Sequence, residues 1–193
     1  MTQTCPSGAT LAEAEAFLAA HPEIEAVDIV LHDSNGIGRG KIIRRHELPS
    51  LYTSGRHMPI SILGLDICGE DVHETGLIWD QGDGDLRAWP IPGTLKPLHN
   101  TTPPRAEVFL SLYELDGRPM TSDPRHALQR QVDAFAKRGL KPAGAFELEF
   151  FLLEGSRPRR AGPPRRRRSG RPRKPQDRGL FCRSPARDAA AFL

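Results

Sequence analysis

The sequence predicts an α+β fold confined to residues 1–154, followed by a basic segment, residues 155–193, that cannot fold by itself. Three observations carry this. Strand-like runs rich in β-branched and aromatic residues are punctuated by tight-turn signals, beginning with a hairpin about Asn35-Gly36. Two helices announce themselves by their starts, at Thr10 and at Asp123-Pro124. The last 39 residues hold 12 Arg and 6 Pro with no Val, Ile, Tyr, Trp or Thr, so they bury too little apolar surface to offset backbone ordering at roughly 1–2 kcal/mol per residue. Charge divides at the same point: residues 155–193 carry 13 Lys plus Arg against 2 acids, and residues 1–154 carry 14 against 22, so the net +3 averages two unlike pieces.

The elements follow in order. Thr10 with Glu13 is a capping-box signature, and Leu11, Ala14, Phe17 and Leu18 share one face of a helix that must stop near His21-Pro22. Residues 24–31 (Val27, Ile29, Val30, Leu31) and 37–44 (Ile42, Ile43) are the two hairpin strands. Residues 46–54 allow a short helical turn, residues 60–67 read as a strand ending in the acidic loop Gly69-Glu70-Asp71, and residues 77–79 as a further short strand. Trp89-Pro90-Ile91-Pro92-Gly93-Thr94 excludes a helix. Residues 107–115 form a strand closed by Asp116-Gly117; Leu128, Val132 and Phe135 then give the stripe of a helix ending at Gly139. Residues 144–153 complete the pattern as a strand, and no internal repeat is present.

Three scattered cysteines, Cys5, Cys68 and Cys182, make neither a disulfide framework nor a metal knuckle, and a reducing, cytoplasmic setting is expected. Residues 1–9 lack the basic and apolar regions of a secretory leader, and no apolar run approaches the ~20 residues needed to cross a bilayer. An exported or membrane-spanning protein is not expected.

The candidate chemistry centres on residues 145–152. Alternation places Phe146, Leu148, Phe150 and Leu152 on one face of the strand and Glu147 and Glu149 on the other, the two carboxylates roughly 6–7 Å apart at about 3.3 Å of rise per residue. Carboxylate oxygens are preferred ligands of Mg²⁺ and Mn²⁺, and a metal pair at such spacing can hold nucleotide phosphates during phosphoryl transfer. The other reading makes Glu147 and Glu149 the solvated face of an amphipathic strand. Asp66, Glu70, Asp71 and Glu74 form an acidic stretch suited either to a cation or amine, or simply to water. His32, His46 and His57 lie too far apart to suggest a metal site, and no Walker loop, Rossmann glycine fingerprint or GxSxG elbow is present.

Taken together, the hairpin, the acidic loop, Pro-Gly-Thr-Leu at 92–95, Asp-Gly-Arg-Pro at 116–119, Asp-Pro-Arg at 123–125 and the Phe-Glu-Leu-Glu-Phe-Phe-Leu-Leu run from Phe146 resemble the amino-terminal part of the glutamine synthetase superfamily. The residues around Asp66 and Thr75-Gly76-Leu77 look most like its γ-glutamylpolyamine synthetase branch. The resemblance covers about residues 11–154. It implies an N-terminal helix at 1–19, a β-grasp domain at 20–105, the first strand, helix and strand of the catalytic domain at 106–154, and a disordered Arg/Pro-rich tail at 155–193.

It also implies an activity. Family members form γ-glutamyl phosphate from glutamate and ATP with Mg²⁺ or Mn²⁺, then let ammonia or an amine displace phosphate, and they work as homo-oligomers. Glu147 and Glu149 match the first two carboxylates of the family's metal sites. Asp66 falls near the acidic residue that, across a subunit interface, attracts and deprotonates ammonium, where the family's usual Asp-Gly-Ser-Ser reads Asp66-Ile67-Cys68-Gly69. The family's remaining metal carboxylates, nucleotide site and phosphate-clamping arginines have no match after Leu153, and the valine-free tail has the composition of a GC-rich gene translated out of frame. The expectation is a ligase fragment, inactive as this chain, without membrane partners. The alternative is a non-catalytic scaffold whose arginines, Arg165–Arg168 among them, bind nucleic acid without sequence preference. No aromatics interleave that arginine run to stack on bases.

Overall fold

The hairpin that Asn35-Gly36 predicts lies within the sheet on which the structure is built. The computed structural model describes residues 5–78, 84–149 and 181–183. In it β1 (Ala26–His32) and β2 (Gly38–Arg44) pair antiparallel from Ala26↔Arg44 to His32↔Gly38. The tip is held by Asp33, whose Oδ1 accepts from the amides of Asn35 (2.8 Å) and Ile37 (2.9 Å), and Gly36 supplies the left-handed φ of 74° that the turn requires.

Next to β1, and parallel to it, runs β6 (Arg105–Tyr113), in register from Ala26↔Arg105 to Leu31↔Leu110. Three further strands extend the sheet on that side: β3 (Arg56–Pro59) pairs antiparallel with β4 (Asp85–Pro90), β4 antiparallel with β6, and the two-residue β5 (Lys96–Pro97) also with β6. β7 (Phe181–Arg183) pairs with β2, giving the order β3-β4-β6-β1-β2-β7.

Alternation sorts the strands into two unlike faces. Val27, Ile29 and Leu31 meet Ala106, Val108 and Leu110 in register, and all are buried in one core with Ala14 of α1 (Leu11–Ala20) and Leu48, Leu51 and Tyr52 of α2 (Leu48–Ser54). Each full-sized apolar side chain removed from water there contributes about 2 kcal/mol. The opposite face carries Asp28, Glu107 and Ser111, buried but polar. Asp28 pairs with Arg105 (3.1 Å) and Glu107 with Lys96 (3.3 Å), so these charges do not stand alone in a low dielectric.

Several expectations need correction. Residues 60–67 form a 3-10 turn, Ile60–Gly64, and a loop; Ile60, Ile62 and Leu63 bury themselves in the core without a neighbouring strand edge. A short apolar run meets its burial requirement either way, and periodicity does not distinguish the two. Leu77 and Ile78 lie in a bend, with Ile78 packed so closely on Gly64 that a Cβ there would sit 2.9 Å from Ile78 Cγ1, and Trp79 lies outside the described residues. The Thr10 capping box does not form: Glu13 Oε1 accepts from Gly93 N–H (3.0 Å), tying α1 to the Pro92-Gly93 turn. At the other end of α1 the carbonyls are taken from outside the helix. Arg45 donates to His21 O (2.6 Å), Ile24 O (3.1 Å) and Leu18 O.

The largest correction concerns residues 144–153. Residues 144–149 have no strand partner and no regular structure; Phe146 is 100% and Leu148 71% exposed, so the expected apolar face is not covered, and residues 150–153 lie outside the described residues. Alternation gives a strand its faces but not a neighbour to bond to. In the tail, β7 is a strand at positions expected to be disordered, and the remainder of 155–193 lies outside the described residues. No helix among the described residues is long and apolar enough to cross a membrane.

α3 (Pro124–Ala136) forms as its start signal predicts. Asp123 accepts from Arg125 N–H (2.8 Å) while its other oxygen, buried, accepts from Leu112 N–H of β6 (2.8 Å). The Leu128 and Phe135 stripe faces water, 65% and 45% exposed. Asp123→Ala removes a cap and orphans a buried amide, so it should cost about 3 kcal/mol in urea unfolding. Leu128→Ala, by contrast, should cost less than about 0.5 kcal/mol. A reversed ranking would show that α3 is held by its apolar stripe.

Both tyrosines of the chain are buried, Tyr52 at 2% and Tyr113 at 6% exposure. Burial opposes phenolate formation and pushes Tyr113 up to about 12 and Tyr52 further in the same direction. The folded chain therefore holds these protons longer than the unfolded chain does. Its stability is intact below the ordinary tyrosine value of 10.0 and lost as pH rises from there through about 12. The urea midpoint should fall over that window, with tyrosinate absorbance appearing together with unfolding. Tyrosinate absorbance rising well before unfolding would contradict this.

Candidate functional site

The acidic loop owes its shape to one side chain. Asp66 Oδ1 accepts from the amides of Cys68 (2.8 Å) and Glu70 (2.8 Å), and its own N–H bonds Glu70 O (2.9 Å). Aspartate commonly closes a turn in this way. Gly69 completes it with φ 85°, a conformation a side chain would strain. Asp66 Oδ2 takes no hydrogen bond from the described residues, and Asp66 is half-buried, with Glu70, Asp71 and Glu74 exposed nearby in the chain. One carboxylate oxygen is thus fixed by the backbone and the other is left to meet a ligand. An oxygen so placed can accept a charge-assisted hydrogen bond from an ammonium group.

The loop is held from the hairpin tip. Asn35 Nδ2 donates to Leu65 O (3.0 Å), and Arg39 Nη2 donates to the next carbonyl, that of Asp66. Arg39 is only 4% exposed and its Nε bonds Asp33 Oδ2 at 2.6 Å. Sequence reasoning passed over Asp33 and Arg39. Asp33 reads as a turn former beside Asn35-Gly36, and nothing local in the sequence reports that Arg39 reaches a loop 27 positions on.

Glu147 and Glu149 lie elsewhere, exposed on the irregular segment after α3, and no hydrogen bond or ion pair among the described residues ties them to the Asp66 loop. No group of three or more His, Cys, Asp or Glu among the described residues can hold a metal ion. Two solvated carboxylates are too few donors to fix Mg²⁺, which keeps near-ideal octahedral geometry and gives up water reluctantly. The described residues do not fit a metal site by themselves. Of the histidines, His32 stacks edge-on to Phe109 (4.9 Å) and His57 faces Arg87 (3.3 Å).

The arrangement is that of a mixed sheet with an acidic loop held against its hairpin tip, followed by α3 and an irregular segment that carries Glu147 and Glu149. Residues 121–193 match the family described as Glutamine synthetase, catalytic domain, a span that includes Glu147, Glu149 and the arginine-rich tail. The chain is 35% identical over 145 residues to gamma-glutamylputrescine synthetase PuuA of Escherichia coli (strain K12), covering 75% of this chain and 30% of that protein. It is 27% identical over 146 residues to glutamate–isopropylamine ligase of Pseudomonas sp, covering 72% and 30%. The chain is thus similar to members of the glutamine synthetase superfamily and spans about 30% of the length of these curated relatives. A solved structure described as a novel glutamine synthase homolog shares the fold with a TM-score of 0.52 at 23% identity, over 60% of this chain and 27% of that one.

Proposed function

We propose that the chain is part of an ATP-dependent glutamate–amine ligase of the glutamine synthetase type, acting through γ-glutamyl phosphate, and that as given it is inactive in that reaction. The observation that carries this is the catalytic-domain match beginning at residue 121, which contains both Glu147 and Glu149. Residues 20–105 are read as a β-grasp domain, with β1 to β5 within them and β6, the parallel partner of β1, supplied to the same sheet by residues 105–113. Residues 106–154 are read as the opening of the catalytic domain. An organic amine such as a polyamine, rather than ammonia alone, is supported by the names of the relatives and by Asp66-Ile67-Cys68-Gly69 in place of Asp-Gly-Ser-Ser.

On this reading Asp66 is the catalytic acid-base group. A protonated amine is drawn to the acidic loop and donates an N–H to Asp66 Oδ2. Transfer of that proton to the carboxylate leaves a lone pair free to attack the γ-carboxyl carbon of γ-glutamyl phosphate, forming the C–N bond as the C–O bond to phosphate breaks and phosphate leaves. Assembly as a homo-oligomer in the cytoplasm belongs to the same reading. Mg²⁺ or Mn²⁺ and ATP are its cofactors, with Glu147 and Glu149 as two metal ligands that need partners beyond the described residues.

The test is metal affinity. Calorimetry should find Mn²⁺ or Mg²⁺ bound weakly by this chain. Joining residues 1–154 to the remainder of a glutamine synthetase catalytic domain should tighten binding about tenfold or more, and Glu147→Ala or Glu149→Ala in the joined protein should reverse the gain. Unchanged affinity with both carboxylates removed would end the assignment.

The charge of the tail favours a second reading, a non-catalytic protein whose 12 tail arginines bind nucleic acid. Affinity that falls steeply with salt and vanishes on removing residues 155–193 would support it. The same composition supports out-of-frame translation after codon 154, whereas the family span reaching residue 193 speaks for continuous coding. The downstream DNA in the alternative frame decides between them.

A further inference from the structure

The buried pair Asp33–Arg39 spends more contacts on the Asp66 loop than a hairpin needs for itself. Asp33 uses Oδ1 on the turn amides of Asn35 and Ile37 and Oδ2 on Arg39 Nε (2.6 Å). Arg39, its charge balanced by Asp33, extends Nη2 to Asp66 O, while Nη1 comes within 3.5 Å of where a Gly69 Cβ would stand. With Asn35 on Leu65 O (3.0 Å), two consecutive loop carbonyls are fixed from the hairpin tip. Those carbonyls set the peptide planes on either side of Asp66, and its carboxylate is further fixed by the amides of Cys68 and Glu70. Without Arg39, the peptide plane that follows Asp66 loses its side-chain anchor, and the turn that Asp66 Oδ1 closes on Cys68 and Glu70 opens more readily, so that the direction of Oδ2 is no longer held.

We infer that Arg39, oriented by Asp33, is a positioning residue that aims the Asp66 carboxylate, and through it sets affinity for a protonated amine. The inference rests on the reading of Asp66 as the amine-facing acid. Two measurements separate the failure of one from the failure of the other, both on the chain as it exists. Arg39→Lys keeps the buried positive charge opposite Asp33 but cannot bridge to Asp66 O, so the hairpin should survive while the loop is released; Asn35→Ala removes only the hold on Leu65 and serves if Arg39→Lys folds poorly.

Amide hydrogen exchange at Cys68 and Glu70 should accelerate at least about tenfold in Arg39→Lys, with the β1–β6 amides unchanged. Equal protection in the variant, or loss across the whole sheet together, would overturn the inference. The second measurement is an NMR titration with putrescine, followed at residues 66–70. Binding should weaken at least about threefold in Arg39→Lys, and Asp66→Asn should abolish it so that Arg39→Lys has no further effect in that background. If exchange responds as expected and wild type shows no putrescine-dependent shift, the amine reading of Asp66 falls while the positioning of its carboxylate by Arg39 stands.

Discussion

Gly40→Ala should unfold the hairpin or cost the chain about 3 kcal/mol or more, the largest stability effect expected of any single methyl group added here. Gly40 pairs with Val30 across β1–β2, and a Cβ built on it would lie 1.8 Å from Ile29 O and 2.9 Å from Ile29 C. Both atoms are backbone, so no rotamer change relieves the clash. Either β2 moves away from β1 and breaks ladder bonds, or the sheet shifts and disturbs the core in which Ile29 is fully buried. Gly36→Ala is the control: φ is 74° but nothing lies within 4 Å, so it should cost about 1 kcal/mol, from the left-handed backbone alone. Urea midpoints that rank the two substitutions equally would mean that β1 and β2 are not as close as described.

The second large expectation concerns turnover. The purified chain should release no phosphate from ATP and glutamate in response to ammonium, ethanolamine or polyamines, with Mg²⁺ or Mn²⁺ present. Phosphoryl transfer depends on several charged groups acting as a unit, and loss of members of such a unit costs orders of magnitude in rate. Among the described residues the candidates amount to Asp66 and two solvated glutamates, with no cluster able to hold a metal. Amine-dependent phosphate release that required Glu147 and Glu149 would overturn the proposed inactivity and make the catalytic unit far smaller than argued.

The sequence made legible what local chemistry decides. Asn35-Gly36 and the β-branched runs around it specify β1 and β2, Asp123-Pro124 specifies the start of α3, and Asp116-Gly117 closes β6, with Gly117 at φ 89°. Strands without such patterning were missed: β3 is four residues carrying Arg56 and His57, and β4 ends in the Trp89-Pro90 stretch that speaks only against helix. The errors have the opposite origin. Residues 60–67 and 144–149 have strand-like composition, but a strand exists only where another edge accepts its hydrogen bonds, and that partner is not written in the segment itself. The candidate site divides likewise. Asp66 was visible by resemblance, whereas Asp33 and Arg39 became visible only when the fold brought the hairpin tip against the loop.

The reach of Arg45 back to Leu18, His21 and Ile24 makes the end of α1 depend on the hairpin. A ten-residue helix is too short to persist alone in water, and the carbonyls at the end of α1 find their donor in a residue that lies just past β2. Arg45 N–H is itself bonded to Glu25 O at the foot of β1, so the guanidinium comes into place only after the hairpin has closed. The end of α1 therefore gains this donor only in a chain whose hairpin is formed. During synthesis, the carbonyls of Leu18, His21 and Ile24 lack that donor until the chain has passed residue 45.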